Sequence, residues 1–218
     1  HRFVLESARD VAAGLEERGI PYVFYLREEG DRRDAAAEMI REAALAVVDD
    51  FPAFILPEMT RRAVAHTADS GVPVLAVDAN GVVPLAEIEG RQYAAYTIRP
   101  RIHRRLPSFL CPVEDREPDV DVPPAELPVE GIGPELADAG DGELEEWVGA
   151  AGVAGTPEPS LRYRGGRQAG LERLDAFVEE GLADYADLAR DPGAGVTSGL
   201  SPYLHFGCVS AREVALRV

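Results

Sequence analysis

Apolar positions in the first eighty residues switch between two spacings. Phe3, Val4, Ala8, Val11, Ala12 and Leu15 recur at steps of three and four, which predicts an amphipathic helix stopped by Gly19. Tyr22 to Leu26 then form a continuous apolar run, the pattern of a strand buried on both faces. Residues 34–42 read as a helix with Ala36, Met39 and Ile40 on its apolar face, and residues 45–48 as a strand running into Asp49 and Asp50. A helix over 57–69 and a strand over 72–77, leading into Asp78, complete the alternation. Helix and strand in turn predict an open parallel sheet covered by helices, with right-handed crossovers.

Beyond residue 90 the strand signal disappears. A helix carrying Tyr93, Ala94 and Thr97 runs into Arg99-Pro100, followed by Arg101, Arg104 and Arg105, the most basic patch of the chain. That patch can meet phosphates or pair with surface carboxylates. Pro112 to Pro159 is rich in Pro, Gly, Asp and Glu and has no sustained period, so a mobile linker is expected there. A short helix over 143–150 places Trp147 and Leu144 on one side, with Trp147 expected as a packing anchor. After Gly165-Gly166, Leu171, Leu174, Phe177, Val178, Leu182, Tyr185 and Leu188 predict one amphipathic helix over 167–189.

Charge and composition narrow the field. The 218 residues carry 39 acidic and 22 basic side chains, a net charge of −17, and every basic residue is arginine. A phosphate backbone is bound largely through cationic contacts, so such a chain must turn its acids away from any nucleic acid, or lack most of a nucleic-acid surface. The first residue is His1 and helical patterns run into both ends, which leads to the expectation of a fragment. No stretch approaches the ~20 apolar residues of a membrane span, and no signal peptide is visible, so a cytoplasmic protein away from membranes is expected. Cys111 and Cys208 are the only cysteines, and His103 has no second ligand nearby in sequence, so neither a disulfide framework nor a metal site is expected. No glycine-rich phosphate loop follows any strand, which weighs against a nicotinamide or ATP site. Asp49, Asp50 and Asp78 lie at strand ends, where they can contact a small molecule or simply start loops.

The candidate chemistry lies near the C-terminus, in Thr197-Ser198-Gly199-Leu200-Ser201-Pro202-Tyr203-Leu204-His205-Phe206-Gly207. Ser201 reads as an N-cap and Pro202 as the first helical residue. Hydroxyls and free amides converging on a helix start make a phosphate seat, with Gly199 opening the backbone to a ligand. An ordinary cap with polar loop residues is the other reading of the same stretch.

This segment resembles the flavin-binding signature of the photolyase/cryptochrome family. A second run, Tyr93-Ala94-Ala95-Tyr96-Thr97-Ile98-Arg99-Pro100-Arg101-Ile102, is similar to one found in class II cyclobutane-dimer photolyases, with Arg101 in place of the usual lysine. The resemblance covers roughly residues 1–110 and 162–218. It implies an α/β plus all-α fold: a Rossmann-like parallel-sheet antenna domain over 1–110 without its first strand, an acidic linker over 111–161, and the start of a helical FAD-binding domain over 162–218. By the same resemblance Tyr185, Thr197, Ser198, Leu200 and Ser201 contact the flavin, and Arg190 faces DNA. The implied cofactors are FAD and an antenna pigment of the deazaflavin or folate type. The implied partner is UV-damaged DNA, met by a monomer.

The implied activity is light-driven repair of cyclobutane pyrimidine dimers, a carbon–carbon lyase reaction in which an electron passes from reduced FAD to a flipped-out dimer and returns. A cryptochrome-like light or redox sensor shares both domains and the flavin motif, and the acidic balance leans towards it. A plain nucleotide-binding α/β module is a third reading, weakened by the absent glycine motif. The isoalloxazine and electron-relay residues of the family pattern would follow Val218, so this chain alone is expected to be inactive.

Overall fold

The computed structural model describes residues 1–27, 30–112, 114, 116, 126–133, 135–152, 158–160 and 162–218. In chain order these form α1 (Arg2–Glu16), α2 (Ala35–Arg41), β1 (Ala46–Asp49), α3 (Leu56–His66), β2 (Val74–Val77), α4 (Ala95–Phe109), α5 (Glu135–Asp138), α6 (Asp141–Ala150), α7 (Arg167–Ala176), a π-turn (Phe177–Gly181), α8 (Leu182–Leu188), α9 (Ser201–His205) and α10 (Ala211–Arg217). The chain divides into two compact units, His1–Met39 with Arg116–Val209, and Ile40–Asp115 with Ser210–Val218.

The first unit is built around α1. Leu5, Ala8 and Ala12 bury one stripe of this helix against Leu136 of α5, Leu144 of α6 and Ala139 between them. Leu136 and Leu144 are fully buried, although both fall in the stretch expected to be a linker. Its composition is dominated by Pro, Gly and acids, yet a few leucines suffice when a preformed helical face receives them. Trp147 packs on the same cluster, as an anchor should. The apolar run Tyr22 to Leu26 is a correction to the expected parallel strand. Its one ladder contact among the described residues is an antiparallel bridge from Phe24 to Ile132, with N···O distances of 2.8 and 3.0 Å. Tyr22 and Phe24 give their side chains to the α1 core, so the run serves helix packing.

The second unit holds the sheet. β1 and β2 pair in parallel with Ala46 opposite Val74 and Asp49 opposite Val77. The connection between them is α3, as the alternating pattern predicts. Among the described residues no third strand joins either edge, and the strands are not covered on both faces, since Val47 is 62% and Leu75 52% exposed. At the carboxyl end of β2, burial opposes ionisation of Asp78, but hydrogen bonds from the amides of Leu85 and Asn80 outweigh it and hold the carboxyl below its ordinary range. Asp78 thus organises the loop after its strand, and Asn80 ties that loop to the Asp50 carbonyl at 3.1 Å. In α10, Ser210 Oγ accepts from Glu213 N at 3.0 Å and so caps the first turn. No helix among the described residues is long and apolar enough to cross a membrane.

Candidate functional site

The first unit brings a cleft of about 230 Å³ to the turn before α9, lined by Arg173, Phe177, Glu180, Gly181, Thr197 and Ser198 among others. Its floor comes from the expected 167–189 helix, which is not uniform. Between α7 and α8 the backbone widens into the π-turn Phe177–Gly181, an arrangement that often accompanies a binding site. Gly181 is buried there, and a side chain in its place would press on Phe177 and the Val196 carbonyl at 3.1 and 3.2 Å. The opposing wall is the loop Ala194–Ser198.

The predicted flavin residues take different places around this cleft. Thr197 and Ser198 line it. Leu200 is buried beneath the turn, fixing the loop to the core by apolar burial. Tyr185 does not line the cleft; its ring meets Phe177 edge-on at 5.5 Å, and Phe177 does. Ser201 is exposed and opens α9 as its first helical residue. The expected N-cap role of Ser201 is therefore corrected. Leu200 already has helical dihedrals and accepts from Leu204 N at 2.9 Å, so the first turn closes one residue early, with no side-chain cap. At five residues α9 is also too short for a helix dipole to dominate the site. What meets at this turn is two hydroxyl-bearing loop residues and a cation.

That cation is Arg173, which sequence reasoning passed over. It reads as a polar position on an amphipathic helix, and only the folded loop shows its target. Its Nε donates to the Ser198 carbonyl at 3.1 Å. Arg190, the expected DNA contact, is exposed in the turn after α8. His205 packs edge-on against Phe206 at 4.7 Å. In the basic patch of α4, Arg101 donates to the Glu89 carbonyl at 3.2 Å and Arg105 lies 3.5 Å from Glu87, so both find protein partners. A larger open cavity of about 640 Å³, lined by His1, Arg2, Phe3, Glu145 and Ser160 among others, contains none of the motif residues.

The cleft suits an anionic group: two hydroxyls can donate to phosphate oxygens, and a guanidinium stands beside them. The π-turn and the Ala194–Ser198 loop leave the volume open.

No family model matches the chain. The deoxyribodipyrimidine photo-lyase of Methanothermobacter thermautotrophicus is 32% identical over 218 residues, which is all of this chain and 44% of that protein. The chain thus spans less than half the length of this curated relative. Among solved structures, a class III photolyase from Agrobacterium tumefaciens superposes with a TM-score of 0.64 at 18% identity, covering 99% of this chain and 43% of that one. A Synechocystis cryptochrome superposes with a TM-score of 0.68 at 17% identity, covering 98% and 43%. Those two likenesses establish the fold, and the full-length alignment joins it to sequence: the chain belongs to the photolyase/cryptochrome family.

Proposed function

We propose that this chain is part of a deoxyribodipyrimidine photo-lyase that repairs cyclobutane pyrimidine dimers, and that its cleft holds the phosphates of FAD. The observation that carries the reading is the meeting of Thr197 and Ser198, two residues of the family's flavin signature, with Arg173 in one cleft. When bound, reduced FAD supplies the electron that light delivers to the dimer. The chain's own residues bind and orient. The Thr197 and Ser198 hydroxyls donate to phosphate oxygens, Leu200 anchors the loop that presents them, and Tyr185 braces Phe177 in the cleft wall. Ser201, exposed at the start of α9, would offer its hydroxyl to the same phosphates. Arg190 contacts the DNA backbone, and an antenna pigment of the deazaflavin or folate type belongs to the same protein. The run Tyr93–Ile102 supports a class II-like enzyme.

The test is a repair assay on the intact protein, with an oligonucleotide carrying one thymine dimer, in blue light and in darkness. Dimer reversal in light only is the expected result. Flavin retained without reversal favours a cryptochrome-like sensor, the reading that the net charge of −17 supports. A protein that retains no flavin overturns both.

A further inference from the structure

We infer that Arg173 is a cofactor-binding residue that takes the diphosphate charge of FAD, and that Gly199 is glycine so that this guanidinium can lie against the loop. The inference rests on the flavin reading proposed above.

The geometry at Gly199 is the starting point. Its φ of +66° is one that residues with a side chain rarely adopt, and a Cβ built there would lie 2.6 Å from Nη2 and 2.7 Å from Nε of Arg173. The guanidinium therefore occupies the space a side chain at 199 would need. Two further contacts hold it there. Nε donates to the Ser198 carbonyl at 3.1 Å, and the guanidinium carbon stands 6.0 Å from the Tyr163 ring centroid, at the outer limit of a cation–π contact. Among the described residues no carboxylate forms an ion pair with it, in a chain of net charge −17. The fork is thus fixed by a backbone carbonyl on one edge while it lines the same cleft as Thr197 and Ser198. A guanidinium held in place before the ligand arrives loses little freedom on binding and can give two parallel bonds to phosphate. Glu180 lines the cleft too, exposed on the π-turn, and works against an anion, which makes the cation more necessary.

The experiment measures FAD affinity of the intact protein by fluorescence, at about 0.05 M and about 0.5 M NaCl, over which the screening length falls from about 14 Å to about 4 Å. Arg173→Gln should weaken FAD binding ~10-fold or more at low salt and flatten the salt dependence, because a charge-assisted contact is lost. Arg173→Lys, which keeps the charge but not the fork, should fall between the two and covers the case in which the glutamine variant fails to fold. Unchanged affinity in Arg173→Gln overturns the inference and leaves the flavin reading standing. Equal losses at both salt concentrations, with lysine no better than glutamine, assign Arg173 to packing and also overturn it. A wild-type protein that binds no FAD overturns the flavin reading, and this inference with it.

Discussion

At the turn before α7, the amides of Gly165, Gly166 and Gln168 donate to Glu6 Oε2, Ser7 Oγ and Asp10 Oδ2 of α1, at 2.6, 3.1 and 3.2 Å. At the turn before α9, Thr197 and Ser198 face an open cleft with a guanidinium beside them. Both turns carry glycine and lead into a helix of the same unit. The first is filled by two carboxylates and a hydroxyl that belong to the chain, nearly 160 residues away in sequence. Negative charge at the start of α7 is what the helix's free amides favour, and the protein supplies it covalently. The second has hydroxyl donors, a cation and the Glu180 carboxylate on its lining, and on the proposed reading it takes its anion from outside. The difference separates a turn satisfied by its own chain from one left open, and it lies in which groups surround the turn.

The first turn, a joint between α1 and α7, should be the more fragile of the two. A Cβ at Gly165 would lie 2.0 Å from the Phe3 carbonyl and 2.8 Å from the Glu6 Cβ, so Gly165→Ala must push α1 away. Overpacking of this severity costs ~3 kcal/mol, visible as a lowered urea midpoint at unchanged slope. An unchanged midpoint would mean that α1 does not seat on this turn, and the comparison would fail at its first term.

The cleft should respond in affinity and not in stability. Thr197 is exposed and caps nothing, so Thr197→Ala should leave the melting temperature in place. A lost charge-assisted bond to phosphate is worth ~1.5–3 kcal/mol before the neighbouring amides and water compensate, so FAD affinity should fall roughly tenfold. If the melting temperature falls and affinity holds, the two turns are the same kind of object.

Local pattern carried much of this molecule. The step of three and four residues located α1, α2 and α7, and the short apolar runs located β1 and β2. The hydroxyl-rich signature pointed to the loop that lines the cleft. Other features depend on partners far along the chain. Nothing near Glu6, Ser7 or Asp10 announces that they will cap a helix beginning at Arg167. Leu136 and Leu144 stand alone among acids and glycines, and their burial depends on the face that α1 offers. Tyr22 to Leu26 has the composition of a strand, but among the described residues it finds a single bridge partner in Ile132 and turns Tyr22 and Phe24 onto the α1 core, so packing overrode propensity. Arg173 was hidden for the same reason, since a polar residue on a helix gives no sign of the loop it will meet.

A smaller effect tests the joint again. Asp10 is exposed and accepts from Gln168 N at 3.2 Å, so Asp10→Ala removes one carboxylate from the start of α7. Thermal unfolding should show a loss of ~1 kcal/mol, with FAD affinity untouched. A change in affinity would couple the joint to the cleft and blur the contrast between them.

Ser201, too, should show little change in stability. As an N-cap, its loss to alanine would cost ~1 kcal/mol of helix stability. The structure places it inside the first turn of α9, with Leu200 in the cap position and no side-chain bond to a backbone amide, so that cost should be absent. Ser201→Ala is therefore expected to change stability by less than ~0.5 kcal/mol, the range of an ordinary surface substitution. Any loss of FAD affinity can then be read as a lost ligand contact. It should be no more than about fivefold, because the hydroxyl is exposed and water can replace it. Thermal melts with and without FAD separate the two terms. A lowered melting temperature in the flavin-free protein would restore Ser201 as a cap. The turn before α9 would then resemble the turn before α7, with its polar side chains spent on the helix and not on a ligand.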